Sequence, residues 1–287
     1  MGMMIKSEIT WNTFDGIPQF VRIWRPDGET QAAICLLHGL GEHSGRYLYV
    51  AERLTAARYA VVAPDLRGHG RSGGQRGHIP SYAAILADID QLLGQSTDLF
   101  PGLPLFLYGH SMGGNLAINY PLRRSSHLDP ALRGVIATSP WLRLSFEPSA
   151  AKVALARALS TVWPSLSQAN GLAVKALSHD PAVTAAYLAD PLVHDRISAR
   201  AAVAIMSAGA WAIEHAQQFP LPLLLMHGGD DHITSAPASA EFARRAGPRC
   251  TFRLWPGLYH ETHNEPEREK VLDFTIGWLD HQLKAGT

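Results

Sequence analysis

The sequence predicts an α/β protein with a mostly parallel, twisted sheet, helices on both faces of that sheet, and an inserted helical cap. Three observations favour this class: short apolar runs alternate with longer amphipathic stretches, an Asp-Gly turn joins the first two runs, and the middle of the chain interrupts the alternation. With 46% hydrophobic and 17% charged residues among 287, the chain has enough apolar material for a core, which excludes a disordered protein.

The apolar runs predict strands at residues 8–14, 20–24, 33–38, 60–64, 105–109, 135–138, 223–227 and 251–255. The amphipathic stretches predict helices at residues 47–57, 82–93, 115–123, 236–246 and 267–283. Asp15-Gly16 lies between the first two strands and favours an antiparallel hairpin ahead of the parallel part. We therefore expect a hairpin followed by strands that alternate with helices.

Residues 141–219 depart from this pattern, because they contain helical stretches but no clear strand. We expect one α/β core of residues 1–140 and 220–287, interrupted by a cap or lid at 141–219. A segment inserted after a strand of such a sheet emerges at the carboxyl edge, where these folds bind ligands. Its most apolar stretch, residues 201–213, is shorter than the ~18 residues needed to span a bilayer and predicts a buried helix.

Charge and cysteine content exclude several kinds of partner. Lys+Arg 25 and Asp+Glu 25 balance, and basic runs are at most two residues long, so we expect no nucleic-acid partner. Cys35 and Cys250 form no CxxC pair, which predicts neither a disulfide framework nor a zinc site. The first eight residues lack an apolar signal segment, and Lys6 breaks the myristoylation pattern, which favours a cytoplasmic protein.

The most specific motif is Gly109-His-Ser111-Met-Gly113, which follows an apolar strand and opens a helical pattern. In this context the motif predicts that Ser111 is a nucleophile on a strained strand-to-helix turn. Gly109 and Gly113 let the chain fold back without Cβ clashes. The N–H groups at the start of the helix, at Met112, are expected to point toward an oxyanion that forms beside the serine.

A serine nucleophile needs a base that an acid orients, and in this architecture the acid precedes the base along the chain. Asp230 and Asp231 follow the seventh predicted strand, and His260 follows the eighth. We expect Asp231 and His260 to complete a catalytic triad with Ser111, and Asp230 to be a structural neighbour. His263 lies further from the strand end and is expected to stand behind His260.

The oxyanion hole needs a second donor, and the glycine-rich stretch His38-Gly-Leu-Gly-Glu-His43 follows the third predicted strand. We expect the backbone N–H groups of Leu40 and Met112 to form the hole. The acidic pair at 230–231 has only His227 and His232 nearby, without metal-ligand spacing, so we expect no metal. Ester hydrolysis by a triad needs no cofactor, and we expect none.

Five peptides together resemble the α/β-hydrolase fold serine hydrolases, and the resemblance spans residues 33–279. They are HGLGEHSGRY (38–47), PDLRGHGRS (64–72), GHSMGG (109–114), HGGDD (227–231) and GLYHETHNE (257–265). The first and third look like monoacylglycerol lipases and their bacterial lysophospholipase-like relatives. The resemblance implies a serine esterase or lipase that hydrolyses carboxylic esters, most of all monoacylglycerols, through an acyl-enzyme.

The resemblance also implies substrate contacts at matching positions. Glu42, Arg46 and His263 match a polar cluster that holds glycerol hydroxyls, Tyr187 matches a cap tyrosine near that cluster, and His110 matches a contact near the leaving group. The implied partner is therefore a small-molecule ester or lipid. The oligomeric state is not predicted.

Several alternatives stay open. Arg46 has a second interpretation, a stabilising surface pair with Glu42 at helical spacing. The apolar spacing of residues 150–163 fits either a cap helix packed over the pocket, which we favour, or transient contact with a membrane surface. The same triad also serves lysophospholipases, thioesterases and general carboxylesterases. A non-enzymatic ligand-binding protein is disfavoured because all three triad residues are present.

Overall fold

The computed structural model describes residues 4–285, in which eight strands form one sheet in the order β1-β2-β4-β3-β5-β6-β9-β10. These strands are β1 Met4–Asn12, β2 Pro18–Pro26, β3 Ala32–Leu37, β4 Tyr59–Pro64, β5 Leu105–His110, β6 Leu132–Thr138, β9 Leu223–Gly228 and β10 Cys250–Trp255. Residues 1–3, on which part of the expectation about a signal segment depends, lie outside the described residues.

The sheet confirms the predicted α/β class. All neighbours from β4 through β10 pair in parallel, whereas β1 pairs antiparallel with β2 and β2 antiparallel with β4. The predicted hairpin is therefore present. In its turn Gly16 has a φ of 82°, in the left-handed region that glycine adopts without steric cost, and its N–H donates to the Thr13 carbonyl at 2.9 Å.

Both faces of the sheet are covered by helices. Along β3, Ala33, Cys35 and Leu37 pack into one hydrophobic cluster, and Ile34 and Leu36 pack into the other. Helices α1 and α8 cover the second cluster, and α2, α3, α6 and α7 cover the first. Burial on both faces explains why the central strands are apolar throughout instead of alternating. The helices are α1 Leu48–Ala56, α2 Tyr82–Leu99, α3 Met112–Arg123, α4 Ala150–Val162, α5 Pro181–Ala189, α6 Ala199–Glu214, α7 Ala236–Ala246 and α8 Arg268–Ala285.

Residues 141–219 contain α4, α5, α6 and two strands, so the expectation of no strand there is wrong. These strands, β7 (Ser167–Ala169) and β8 (Arg196–Ser198), pair antiparallel and are only three residues long. A three-residue strand is too short to give a detectable alternation. The apolar stretch predicted as a buried helix lies within α6, which packs into the same hydrophobic cluster as the sheet.

Several element boundaries differ from the prediction, and those of α2 and β1 differ most. Helix α2 continues to Leu99 instead of ending at 93, because Gly94 lies within the helix and does not end it. Strand β1 begins at Met4 and ends at Asn12, and its continuous pairing with β2 sets these limits. Its side chains are mostly exposed, so hydrophobicity gives little information about its ends. Among the described residues, no helix has the length and hydropathy that a bilayer crossing requires.

Candidate active site

Ser111 lies on the tight turn between β5 and α3. Its backbone φ of 54° and ψ of −113° are rarely adopted by a residue with a side chain. The surrounding structure fixes this conformation, because the Ser111 N–H donates to the Thr138 carbonyl at 3.0 Å and its carbonyl accepts from Asn115 N at 2.9 Å. The turn presents the serine at the carboxyl end of a central strand.

Glycines flank the turn because there is no room for a side chain. A Cβ on Gly109 would lie 2.1 Å from the Gly113 carbonyl oxygen, and a Cβ on Gly113 would lie 2.1 Å from that of Leu37. Such contacts are far below van der Waals distance, so β3, β5 and α3 approach one another only with glycine at both positions. This is the steric reason that the motif predicted.

His260 lies in the loop after β10, and its Nδ1 is 2.7 Å from Oδ2 of Asp231. Because a carboxylate only accepts hydrogen bonds, Nδ1 carries the proton and Nε2 is left as the basic nitrogen. The Ser139 hydroxyl donates to the His260 carbonyl at 2.7 Å and fixes the loop. Ser111 and His260 line the same cavity.

The structure shows which of the two adjacent aspartates, Asp230 and Asp231, contacts His260. Asp231 is buried and contacts His260, whereas Asp230 is exposed. The Asp231 carboxylate accepts five hydrogen bonds. Oδ1 accepts from Ile233 N at 2.7 Å and Thr234 N at 3.0 Å, and Oδ2 accepts from His260 Nδ1 at 2.7 Å, Thr234 Oγ1 at 2.8 Å and His227 Nε2 at 3.0 Å. Burial opposes ionisation of Asp231, but His260 and His227 outweigh it and hold the pKa of this carboxyl well below its usual range.

His227 and Thr234 are functional residues that sequence reasoning missed. His227 is fully buried on β9, its Nε2 faces Asp231, and its Nδ1 is 2.8 Å from the Ser239 hydroxyl on α7. The Asp231 carboxylate is thus tied to a strand and a helix at once. His227 and Asp231 are four residues apart across a strand end and a glycine turn, and this spacing could have indicated their contact. The sequence analysis considered His227 only as a possible metal ligand.

The second proposed oxyanion donor lies in the loop after β3. The His38 Nε2 accepts from Leu66 N at 2.9 Å, so its Nδ1 is the donor to the Gly39 carbonyl at 2.7 Å. The carbonyl and N–H of one trans peptide point in opposite directions, so this bond turns the Leu40 N–H away from His38. Leu40 lines the cavity beside Ser111. Met112 is the first residue of α3, and its N–H therefore has no acceptor within the helix.

A cavity of about 470 Å³ joins these groups. This volume falls in the range of sites for small organic ligands. One part of its wall is apolar and comes mainly from residues 141–219: Trp141, Leu144, Val153, Leu172, Ile197 and Met206, together with Ile233. Another part, the polar end, is formed by the mutually contacting residues Glu42, Arg46, Tyr187 and Glu261.

Arg46 lies between two carboxylates at this polar end. Its Nη1 is 2.5 Å from Glu42 Oε2 and 2.7 Å from Glu261 Oε1, and its Nη2 is 2.8 Å from Glu261 Oε2. The Tyr187 ring covers the guanidinium at 4.8 Å. Arg46 therefore does pair with Glu42, but the pair is buried and not on the surface. Glu261 is a cavity residue that the sequence did not reveal, because it meets Arg46 from 215 positions away.

The two predicted histidine contacts have different positions. His110 lines the cavity, with its ring 4.7 Å from that of His260. His263 is fully buried behind it, stacked on Tyr47 at 5.0 Å, and does not line the cavity. Among residues 4–285, neither ring nitrogen of His263 has a hydrogen-bond partner. Burial lowers the pKa of His263 to about 4 and that of His110 well below its usual range, so both rings are neutral at pH 7.

The loop that carries Leu40 is hydrogen-bonded to residues 190–194. The Gly41 carbonyl accepts from His194 N at 2.8 Å, and a Cβ on Gly41 would lie 2.3 Å from the His194 carbonyl oxygen. Two residues further on, His43 Nε2 is 2.8 Å from Asp190 Oδ2. Residues 190–194 thus support the back of this loop. Within residues 4–285, no cluster of three or more His, Cys, Asp or Glu side chains is arranged to hold a metal ion.

The expected ester hydrolysis should depend on pH through the protonation of His260. Burial of the imidazole opposes its protonation, but Asp231, with smaller contributions from Glu261 and Glu42, raises the pKa of His260 above its ordinary value of 6.5. A general base must be neutral, so kcat/KM is expected to fall as the pH decreases through this raised pKa. A pH profile on a soluble p-nitrophenyl ester should show the midpoint of its acidic limb above 6.5. A midpoint clearly below that value would contradict the assignment of His260 as the base.

We expect His227 to position Asp231, and two substitutions separate this role from simple packing. His227→Leu removes one hydrogen-bond donor to the Asp231 carboxylate. It should lower kcat about 10–100-fold, the usual effect of losing a hydrogen bond to a charged group. His227→Gln places an amide N–H near the position of Nε2 and should retain most of the activity. Because the less solvated carboxylate attracts the imidazolium more strongly, the acidic limb should shift to higher pH in the leucine variant only. Equal losses in both variants, with no shift of the limb, would indicate a packing role.

Comparison with known proteins supports the architecture. Residues 28–267 match the Hydrolase_4 family model, described as serine aminopeptidase, S33. The chain is 35% identical to a monoacylglycerol lipase of Mycolicibacterium smegmatis, over 97% of this chain and 98% of that protein. It is 38% identical to an uncharacterized abhydrolase domain-containing protein of Dictyostelium discoideum over 92% of this chain, which spans 28% of the length of that relative.

Solved structures give the same result. The crystal structure of a monoacylglycerol lipase from Paleococcus ferrophilus superposes with a TM-score of 0.82 at 32% identity, covering 98% of this chain and 99% of that one. Together, these matches confirm the fold and the family resemblance that the sequence predicted.

Proposed function

The chain belongs to the family described as serine aminopeptidase, S33, and is a carboxylic ester hydrolase; on this premise we propose that it cleaves monoacylglycerols with Ser111, His260 and Asp231. The observation that supports this substrate class is the cavity. It combines a serine and a histidine with an apolar wall and a polar cluster, which suits an ester of an aliphatic acid and a small polyol.

The proposed reaction has two acyl-transfer steps. His260 Nε2 takes the hydroxyl proton as Ser111 Oγ attacks the ester carbonyl, and Asp231 stabilises the imidazolium that forms. The N–H groups of Leu40 and Met112 stabilise the tetrahedral oxyanion. The ester C–O bond then breaks, and the leaving alcohol takes the proton from His260. Water, deprotonated by the same histidine, attacks the acyl-enzyme, releases the fatty acid and restores Ser111.

We assign the acyl chain to the apolar wall and the alcohol to the polar end. In this arrangement residues 141–219 are a cap over a core of 1–140 and 220–287, because they supply most of the apolar wall. Glu42, Arg46, Tyr187 and His110 line the part of the cavity assigned to the alcohol. His263 supports His110 from behind and is assigned an indirect role in binding.

A substrate panel tests the proposed function. Initial rates should be compared for monoacylglycerols, lysophosphatidylcholine, an acyl-CoA thioester and a p-nitrophenyl ester with the same acyl chain, at concentrations below aggregation. We expect the highest kcat/KM among the natural esters for monoacylglycerol. A rate on the thioester or the lysophospholipid at least tenfold above that on monoacylglycerol would refute the proposal and support one of the alternative hydrolases.

We further propose that α4 makes transient contact with a lipid surface. This helix has no buried residue; Val153 and Ala156 line the cavity, whereas Leu155, Val162 and the following Trp163 are 60%, 84% and 58% exposed. An amphiphilic substrate partitions into such surfaces, so apolar side chains beside the cavity are suitably placed. Leu155→Ser/Trp163→Ser should reduce co-sedimentation with vesicles and leave the rate on a soluble ester unchanged. Undiminished co-sedimentation would refute this proposal.

A further inference from the structure

The polar end of the cavity carries more negative than positive charge. Glu261 binds Arg46 through both oxygens, and its Oε2 also accepts from Asn264 Nδ2 at 2.8 Å. The Glu42 carboxylate accepts from Gly39 N at 2.6 Å, the Tyr47 hydroxyl at 2.7 Å and Arg46, which is the contact pattern of an ionised carboxylate. One guanidinium thus faces two carboxylates, so this cluster has one negative charge in excess. The other cation that lines the cavity, Lys152, is an exposed residue of α4.

Arg46 has little capacity to bind an anion in this arrangement. Glu261 holds it in a bidentate pair, Glu42 occupies the remaining side of Nη1, and the Tyr187 ring covers one face. Burial opposes ionisation of Glu261, but Arg46 outweighs it and lowers the pKa of that carboxyl to about 2, so the carboxylate is charged at any working pH. A phosphate would have to displace a buried carboxylate from its bidentate partner.

The excess charge lies next to the reacting groups. Glu261 directly follows His260 in the chain, and both line the cavity together with Ser111. If the leaving alcohol occupies the polar end assigned to it, it lies beside the Glu261 carboxylate. Charges separated by a few ångströms in a site shielded from water interact strongly.

We propose that Glu261 is a specificity-determining residue, which makes this enzyme select esters of neutral polyols and reject esters whose leaving alcohol carries a phosphate or carboxylate. The inference rests on the proposed function and deepens it, since it concerns the alcohol side of the same site. By this account Arg46 orders the two carboxylates, which accept hydrogen bonds from the hydroxyl groups of the alcohol.

The test compares two substrates that differ only in charge, a 1-acylglycerol and the corresponding 1-acylglycerol 3-phosphate with a short acyl chain. In the wild type we expect kcat/KM to favour the neutral ester about 100-fold. Glu261→Gln should narrow this ratio at least tenfold. Any effect of the substitution on His260 acts on both substrates, so it cancels in the ratio. Glu267→Gln is the matched control, because it removes the same charge from an exposed position of the same segment and should leave the ratio within twofold.

A second variant removes the other carboxylate beside Arg46. Glu42→Gln takes away one negative charge at the polar end and should also narrow the ratio, which keeps the proposal testable if Glu261→Gln does not fold. Circular dichroism and labelling of the nucleophile by a fluorophosphonate would show that each variant is folded. A wild type that cleaves both esters equally, or ratios that neither variant changes, would overturn the inference.

A different result would refute the proposed function without refuting the charge selection. An enzyme that hydrolyses p-nitrophenyl butyrate but neither acylglycerol refutes monoacylglycerol as the substrate. The charge selection is then measured on phenyl acetate and 3-acetoxybenzoate with the same variants, where the same changes in ratio are expected. An unchanged ratio on this aryl pair would overturn the inference independently.

Discussion

Ser111→Ala is expected to lower kcat at least about 10⁵-fold, because loss of the nucleophile in a triad enzyme leaves only binding and oxyanion stabilisation. The alanine keeps the backbone conformation of the turn, and its methyl group occupies less space than the hydroxymethyl group it replaces. The fold and the melting temperature should therefore change little. The measurement is the hydrolysis of a p-nitrophenyl ester, together with covalent labelling by a fluorophosphonate.

The control for this substitution is Ser126→Ala, which removes an exposed serine hydroxyl beyond the end of α3. This variant should retain full activity and full labelling. Labelling that persists in Ser111→Ala would show that another residue is the nucleophile and would refute the mechanism proposed for this chain.

Asp231→Asn is expected to lower kcat about 10⁴-fold near pH 7, the magnitude typical of this change in a serine triad. The structure explains why an amide is a poor replacement here. All five contacts of the carboxylate come from donors, so the amide NH₂ group meets a donor whichever way the new side chain is turned. The imidazole of His260 loses both the charge that stabilises it and the acceptor that fixes its tautomer.

Asp230→Asn makes the same chemical change at the adjacent, exposed position. It should alter kcat less than twofold, and the ratio between the two variants measures the role of Asp231 directly. A large loss in Asp230→Asn with little loss in Asp231→Asn would reverse the assignment of the acid. Thermal unfolding should accompany both assays, because the unsatisfied donors that Asp231→Asn leaves around the amide are expected to lower the melting temperature as well.

The fold could be predicted because local sequence patterns indicate its strands and its tightest turn. Buried parallel strands are apolar along their whole length, and Gly109 and Gly113 mark a turn where the backbone allows no side chain. The predicted cavity residues Leu40, Ser111 and His260 follow strand ends, where the topology brings them to one edge, whereas Tyr187 lies on α5. The three-residue strands β7 and β8 are held by pairing between distant segments, and no local pattern indicates them.

The electrostatics of the site were less accessible from the sequence. The charge at the polar end depends on Glu261 meeting Arg46 across 215 positions, and the support of Asp231 depends on the side-chain directions of His227 and Thr234. Conversely, His263 follows the family motif, yet the packing of Tyr47 and His110 places it behind the cavity wall. Such partners are set by tertiary packing, which single-sequence patterns do not encode.

The contact between residues 190–194 and the loop after β3 limits how the cap can be engineered. The two hydrogen bonds made by Gly41 and His43 attach residues 190–194 of the proposed cap to the loop that carries Leu40, the proposed oxyanion donor, whereas α4 has no buried residue. A shortened enzyme made to accept bulkier esters should therefore lose α4 and keep the segment at 190–194. Removal of the whole cap would create a wider entrance at the cost of the support that holds the Leu40 peptide in place, and acylation would slow for every substrate.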